Sequence, residues 1–119
     1  MALSMADTGP GAAARLDALF HALSDRTRRR LLARLADRPA PITELAKPFA
    51  MSLPAISKHI RVLEAAGLVS RTVNGRMHMC ALNAEPLRNI ASWLDAYRHF
   101  WEDNLEALAR YLESVEAPK

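Results

Sequence analysis

The chain of 119 residues lacks most features that would point to an extracellular or membrane location. It has one cysteine, Cys80, which cannot form an intramolecular disulfide and argues against a thiolate-rich zinc site. The lone thiol fits a reducing cytoplasm. No apolar run approaches the roughly 18 residues of a spanning helix, and no basic segment precedes an apolar stretch at the N-terminus. We therefore expect a cytoplasmic protein with no membrane partner and no signal peptide.

Signatures of catalysis are missing as well. The sequence contains no Gly-rich phosphate loop, no nucleophile with a nearby base and no paired carboxylates in an apolar setting. Cys80 lies between Met79 and Ala81 in a predicted strand, as a small core residue would. These absences predict a protein that is not an enzyme and needs no cofactor. The length predicts one domain over residues 14–119, behind a disordered, Ala/Gly-rich tail at residues 1–13.

Charge is unevenly distributed along the chain. Residues 15–78 hold twelve Lys/Arg and five Asp/Glu, for a net charge of +7, whereas residues 79–119 hold four and seven, for −3. A basic region gains affinity for a polyanion by releasing condensed counterions. Charge runs are also common on solvated faces, so the asymmetry alone favours nucleic acid only slightly.

Four helices are predicted before residue 68. Leu16, Leu19, Phe20 and Leu23 repeat at helical spacing, and Ser24 is a good N-cap for a second helix that ends before Pro39. Thr43 is expected to cap a short third helix that Pro48 truncates. Ser52 is expected to cap a fourth, with Pro54 in its first turn and Gly67 ending it. Two short helices joined by about four residues are typical of a helix-turn-helix.

A β-hairpin follows the fourth helix directly. Residues 68–73 are rich in β-branched side chains, Asn74-Gly75 suits a type I′ turn, and residues 76–82 return antiparallel. A Gly-terminated helix followed by a hairpin with a basic tip predicts a winged helix-turn-helix. The fold class is thus mainly α, with about five helices and a two-stranded wing.

One long helix is predicted after the hairpin. Asn83 is its expected N-cap, and apolar residues repeat for about thirty residues without Gly or Pro. One small domain cannot cover that length of apolar surface, so we expect a homodimer built from the first and last helices. The candidate interface residues are Leu16, Leu19, Phe20, Trp93, Leu94, Tyr97, Phe100, Trp101, Leu105 and Leu108.

The fourth helix carries the candidate site for double-stranded DNA. Its small and basic face could enter a major groove about 12 Å wide, and arginine at a wing tip can reach phosphates or the minor groove. His59 could equally be a packed histidine, and Arg28 could be a structural residue that bridges helices. The candidate DNA-binding residues are Ser52, Pro54, Ala55, Ser57, Lys58, His59, Arg61, Arg71, Asn74, Arg76, Arg29 and Arg30.

The sequence resembles the ArsR/SmtB family of bacterial transcriptional repressors. The residues that carry the resemblance are Leu19–Arg28, Ile42–Ala46, Ser57–Leu63, Ala66–Val69 and Gly75-Arg76. It implies a homodimeric winged helix that binds an inverted repeat in its own promoter region. It also implies that the first and last helices form the dimer, that the fourth helix faces DNA and that Gly75-Arg76 forms the wing turn.

The chain departs from the metal-sensing members of that family. Its third helix, Thr43–Lys47, has no thiol. Asp95 and His99 lie four residues apart on the last helix, where some relatives hold metal, but such a pair is also a common surface arrangement. The chain therefore resembles a subgroup without a cysteine metal site, and we expect no functional metal. The cluster of Trp93, Tyr97, Phe100 and Trp101 could line a cleft for a small-molecule inducer, or pack in the dimer interface.

Two other functions compete with DNA binding. A winged helix can serve as a protein-interaction module without sequence-specific DNA binding, but such a module would need large apolar residues exposed on the fourth helix. RNA binding is less favoured because a sheet face with aromatic residues is absent.

Overall fold

A computed structural model describes residues 10–116, which form six helices and a small three-stranded antiparallel sheet. The mainly α fold with a two-stranded wing is confirmed. The helices are α1 (Pro10–Leu23), α2 (Arg26–Asp37), α3 (Ile42–Ala46), α4 (Leu53–Ala65), α5 (Leu87–Asp95) and α6 (Arg98–Glu116). The strands are β1 (Ala40–Pro41), β2 (Val69–Asn74) and β3 (Met77–Leu82), in the sheet order β1-β3-β2.

The hydrophobic core lies between α1–α4 and the sheet. The first four helices bury the apolar positions that recur every three or four residues, as amphipathic helices do. Ile56, Ile60 and Leu63 are completely buried, which fixes the orientation of α4. The other buried apolar residues are Leu19, Ala22, Leu31, Leu32, Leu35, Ala40, Ile42, Leu45, Leu68, Val69 and Cys80.

The two ends of α4 confirm the predicted signals. The Ser52 hydroxyl accepts a hydrogen bond from the Ala55 N–H at 3.2 Å, so that it caps the helix. Gly67 follows with a φ of +79°, in the left-handed region that a glycine adopts without steric cost. These local signals set the length of α4 and bring β2 directly after it.

Two predicted caps are wrong by one or two residues. Asp25, not Ser24, caps α2 by accepting the Arg28 N–H at 3.0 Å, because Ser24 instead donates its hydroxyl to the His21 carbonyl at the end of α1. Helix α3 begins at Ile42 immediately after Pro41, so Thr43 lies within the first turn.

The sheet differs from the prediction in two respects. A third strand, β1, pairs with β3 through Ala40↔Cys80 and Pro41↔Met79. The register Asn74↔Met77 places Gly75-Arg76 at the centre of the turn, and within the described residues positive φ occurs only at Gly67 and Gly75. A positive φ at the first central residue alone corresponds to a type II′ turn, so the predicted type I′ turn at Asn74-Gly75 is wrong.

The predicted single long helix is two helices. The chain tightens at Ala96-Tyr97, where the Ala96 and Tyr97 N–H groups donate to the carbonyls three residues earlier. These tighter hydrogen bonds interrupt the α-helical hydrogen-bond pattern without a Gly or Pro. Helix α5 begins at Leu87, and Asn83 does not cap it: its amide donates to the Gly67 carbonyl.

The N-terminal boundary also lies earlier than expected. Helix α1 begins at Pro10, so residues 10–13 of the predicted tail are helical. The rest of that tail lies outside the described residues. Over residues 10–116, no helix is both long enough and apolar enough to cross a membrane.

Candidate nucleic-acid interface

The exposed face of α4 combines small residues with two cations. Its buried face is fixed by Ile56, Ile60 and Leu63, so Lys58 and Arg61 point outward. Neither side chain makes a hydrogen bond or an ion pair with another described residue. Ser52 and Pro54 are exposed at the start of the helix, and Ala55 and Ser57 are half-buried. This surface has no large side chain between its cations and could approach a duplex closely.

Arg28 lies behind this face and does not belong to it. It is buried, and its Nε and Nη2 donate to the carbonyls of Ala22 and His21 at 2.8 and 2.9 Å. Its Nη1 lies 3.3 Å from His59 Nδ1 on α4. Arg28 therefore links the end of α1 to α4, the bridging role considered from the sequence.

His59 is held within the protein rather than directed outward. Besides its contact with Arg28, its Nδ1 lies 3.8 Å from the Asp25 carboxylate, and only 19% of its side chain is exposed. The hydrogen bond from the Arg28 backbone N–H lowers the pKa of Asp25, which keeps this carboxylate charged. Of the two interpretations of His59, these contacts favour the packed histidine.

The two arginines of the wing have different surroundings. Arg76 lies in the turn, exposed and without an ion-pair partner among the described residues, beside the exposed Asn74. Arg71 lies in β2 with its guanidinium directed at α4: Nη2 donates to Glu64 Oε1 at 2.6 Å, and Nη1 lies 3.2 Å from His78 Nδ1. Arg76 is thus free to contact DNA, whereas the predicted role of Arg71 conflicts with its internal contacts.

The remaining candidates, Arg29 and Arg30, are exposed on α2. The Arg29 guanidinium donates to the Leu23 carbonyl at 2.6 Å, and the Arg30 guanidinium stacks 4.5 Å from the centre of the Phe49 ring. Both groups keep part of their hydrogen-bonding capacity for another partner.

A cleft of about 440 Å³ separates α4 from the wing. Sequence reasoning missed two large apolar side chains there, Leu53 on the helix side and Met77 on the wing side, both of which are exposed. The sequence offered one signal that Leu53 is exposed there: it is an apolar residue at the first position of α4, directly after the Ser52 cap. The complete lining is Pro41, Ile42, Thr43, Leu53, Ser57, Arg71, Arg76, Met77 and His78.

The predicted dimer face is largely exposed. Phe20, Trp93, Leu94, Phe100, Trp101, Leu105 and Leu108 are exposed, and Leu16 and Tyr97 are half-buried. The Trp93 ring packs edge-on against the Phe20 ring of α1, and its centre lies 5.2 Å from the centre of the Tyr97 ring. The prediction that Leu19 lies in the dimer interface is wrong. Only 1% of Leu19 is exposed, so it belongs to the core of the protomer.

Three other predicted features can be placed. Cys80 is buried as expected, and burial raises the pKa of its thiol, which therefore stays protonated. Asp95 lies 3.5 Å from Arg98, and the exposed His99 lies 3.9 Å from Glu102, so each metal-ligand candidate contacts a different residue. Over the described part of the chain, no group of three His, Cys, Asp or Glu side chains is arranged to hold a metal ion.

Comparisons with known proteins agree with this geometry. The family model of a helix-turn-helix domain matches residues 23–72, which span α2 to the middle of β2. The HTH-type transcriptional regulator Rv2034 of Mycobacterium tuberculosis is 35% identical over 82% of this chain and 89% of its own length. The transcriptional repressor SdpR of Bacillus subtilis is 32% identical over 64% of this chain and 84% of its own length.

A solved structure supports the same assignment. The crystal structure of the ArsR family transcriptional regulator RHA00566 shares 42% identity, covers 76% of this chain and 93% of its own, and superposes with a TM-score of 0.72. The residues that the family model matches include the helix-turn-helix and the start of the wing. The protein is a DNA-binding transcriptional regulator of the ArsR family, with a winged helix-turn-helix fold, and is not an enzyme.

Proposed function

We propose that the protein is a homodimeric repressor that binds an inverted-repeat operator. Helix α4 would enter the major groove, and the wing of β2 and β3 would lie on the flanking DNA. Lys58, Arg61 and Arg76 carry this proposal, because these exposed cations have no partner among the described residues. Other arginines nearby are occupied by internal contacts, as Arg28 and Arg71 show.

Repression fits the relatives and the geometry. SdpR is named as a transcriptional repressor. A dimer that places two α4 helices in successive major grooves, about 34 Å apart, covers one face of the duplex. We propose that this occupancy excludes RNA polymerase, and that the protein acts in the cytoplasm, where the chromosome of a bacterium lies.

The proposed dimer rests on exposed apolar surface. Every described side chain from Arg98 to Val115 is exposed, although α6 contains Trp101, Leu105 and Leu108. The protomer extends 73 Å along its longest axis, which is long for a chain of this size. A contiguous apolar surface of this kind marks an interface, and a second copy that covers α6 and the exposed residues of α1 and α5 would bury it.

A small-molecule inducer at the aromatic cluster would require the second subunit. The hollow beside Trp93 in one protomer holds about 40 Å³ and is lined by Ala12, Arg15, Leu16, Asn89 and Trp93. Ligand pockets usually measure about 300–1,000 Å³. If an inducer binds near this aromatic cluster, we propose that the dimer completes its pocket.

The first prediction concerns Arg61. A duplex selected from a random library by the protein serves as the operator, and a scrambled duplex serves as its control. Fluorescence anisotropy should show that Arg61→Ala weakens operator binding by about 1–3 kcal/mol and relaxes sequence preference, because the side chain reads a base edge. Arg110→Ala, which removes the same charge from α6, should leave both affinities unchanged.

Two results would alter this proposal. An equal loss on operator and scrambled DNA would reduce Arg61 to a phosphate contact. Equal, weak binding of the unmodified protein to both duplexes would reject sequence-specific recognition and favour the protein-interaction module.

The second prediction concerns the wing. Arg76→Ala should lower operator affinity and reduce the slope of log Kd against log salt concentration by roughly one, because one phosphate contact and its counterion are lost. The measurement is the same titration repeated across a salt series. An unchanged slope would remove the wing tip from the interface.

A further inference from the structure

The contact between Glu64 and Arg71 joins two elements of the proposed DNA-binding surface. Glu64 lies in the last turns of α4, and Arg71 lies in β2 of the wing. Their side chains meet at 2.6 Å, with 30% of the Glu64 side chain and 16% of the Arg71 side chain exposed. The pair therefore lies mostly out of water, and Arg71 also lines the cleft that separates helix and wing.

Glu64 compensates the positive charge of Arg71 in this partly buried contact. Among the described residues, Glu64 is the only acidic side chain that pairs with Arg71, and the Arg71 Nε is buried without a hydrogen-bond partner. The other contact of the guanidinium, with His78 Nδ1, reaches β3 and not an acid. Removing one partner of a shielded pair leaves the other charge uncompensated. The guanidinium is thus held in place chiefly by Glu64.

The pair sits where the wing leaves the body of the protein. Arg71 lies opposite Cys80 in the sheet, and Cys80 is buried and also pairs with Ala40 of β1. Beyond Arg71, residues 72–77 are all exposed. Arg71 is therefore the last inward-facing attachment of β2 before the turn. A change of angle at this point would be carried along the hairpin to Arg76.

We infer that the Glu64–Arg71 pair is a brace that fixes the wing against α4, and that Arg71 is a positioning residue rather than a DNA contact. The brace holds Arg76 at a set distance from Lys58 and Arg61, so that helix and wing contact the duplex together. This inference rests on the proposed function. It assigns a positioning role in DNA binding to a carboxylate that does not itself touch the DNA.

Two roles of Arg71 predict opposite effects of Glu64→Gln. If Arg71 contacts DNA, neutralising Glu64 removes a negative charge near the phosphates and frees the guanidinium, so binding should strengthen. If the pair is a brace, the same change lets the wing move, so binding should weaken. The substitution keeps the size of the side chain and is not expected to disturb the core.

The first experiment is a double-mutant cycle on operator DNA with Glu64→Gln, Arg76→Ala and the two combined. We expect Glu64→Gln to weaken binding roughly three- to thirtyfold, and Arg76→Ala to cost little more in that background. Tighter binding by Glu64→Gln, or an undiminished effect of Arg76→Ala, would overturn the brace.

The second experiment exchanges the charges. Glu64→Arg and Arg71→Glu should each weaken operator binding, since each places like charges together, and the combined variant should recover at least part of the loss. A combined variant as weak as Arg71→Glu alone, with a thermal melting curve like that of the unmodified protein, would show that the arginine acts at position 71 itself and reject the brace. If the exchanged pair does not fold, Glu64→Gln decides the question.

A measurement without DNA separates this inference from the proposed function. Hydrogen exchange of the wing amides at residues 72–77 should quicken in Glu64→Gln, while exchange in the middle of α4 should not change. Faster exchange in a protein that selects no operator would support the brace and reject the proposed function. Unchanged exchange of the wing would overturn the brace whatever the DNA results.

Discussion

Arg28→Met is expected to lower the free energy of unfolding by about 3 kcal/mol. Arg28 is only 8% exposed and joins the carbonyls of Ala22 and His21 at the end of α1 to His59 on α4. Methionine fills much of the same volume but donates no hydrogen bond. The two carbonyls at the end of α1 would lose their arginine donors, and α1 and α4 would lose their polar link.

Urea denaturation followed by circular dichroism gives the change. Arg26→Met is the matched control, because it makes the same substitution on the same helix at an exposed residue with no hydrogen bond or ion pair to a described residue. We expect the control to stay within about 0.5 kcal/mol of the unmodified protein. Equal stability of the two variants would mean that Arg28 does not hold the helices together.

The sequence predicted α4 and its two ends well because their signals are local. Ser52, Pro54 and Gly67 each act on backbone groups within a few residues, and the buried positions of α4 recur at helical spacing. The exposed face of α4 follows from its buried face by geometry alone. Lys58 and Arg61 could therefore be placed without knowledge of the rest of the fold.

The two wing arginines show what the sequence leaves open. Both lie on a short basic hairpin, so both were predicted to contact DNA. Val69 and Arg71 share one face of β2 by the two-residue period of a strand, and Val69 is buried. That period was a signal that Arg71 points inward. Its partner could not be predicted, since the contact depends on how α4 and β2 meet after Gly67.

For the last two helices, the sequence predicted the apolar face but not the break between the helices. Apolar spacing predicted which side chains share a face, but spacing alone does not determine whether the helical ladder is continuous at Ala96-Tyr97. The hairpin turn is similar, because Asn74-Gly75 and Gly75-Arg76 are both acceptable turn centres and strand register decides between them. Local chemistry allowed both outcomes, and tertiary pairing selected one.

Leu105→Glu combined with Leu108→Glu is expected to convert a dimer into monomers. These side chains are 65% and 53% exposed and lie with Trp101 and Leu112 on one face of α6. They contribute little to the folded protomer, so the thermal stability of the monomer should be nearly unchanged. Operator affinity should fall by roughly 10²–10⁴-fold, because two linked α4 helices bind two half-sites with the benefit of effective concentration. Size-exclusion chromatography with light scattering and operator anisotropy measure the two effects.

The control isolates the apolar face from the added charge. Arg110→Glu changes the net charge by the same two units, but position 110 lies on the opposite face of α6, where its pairing with Glu106 is exposed. That variant should remain a dimer and bind the operator with little loss. If the leucine variant also remains a dimer at low concentration, α6 is not the interface. A monomeric variant that keeps its operator affinity would show instead that one protomer suffices for recognition, which would leave the inverted repeat without a role.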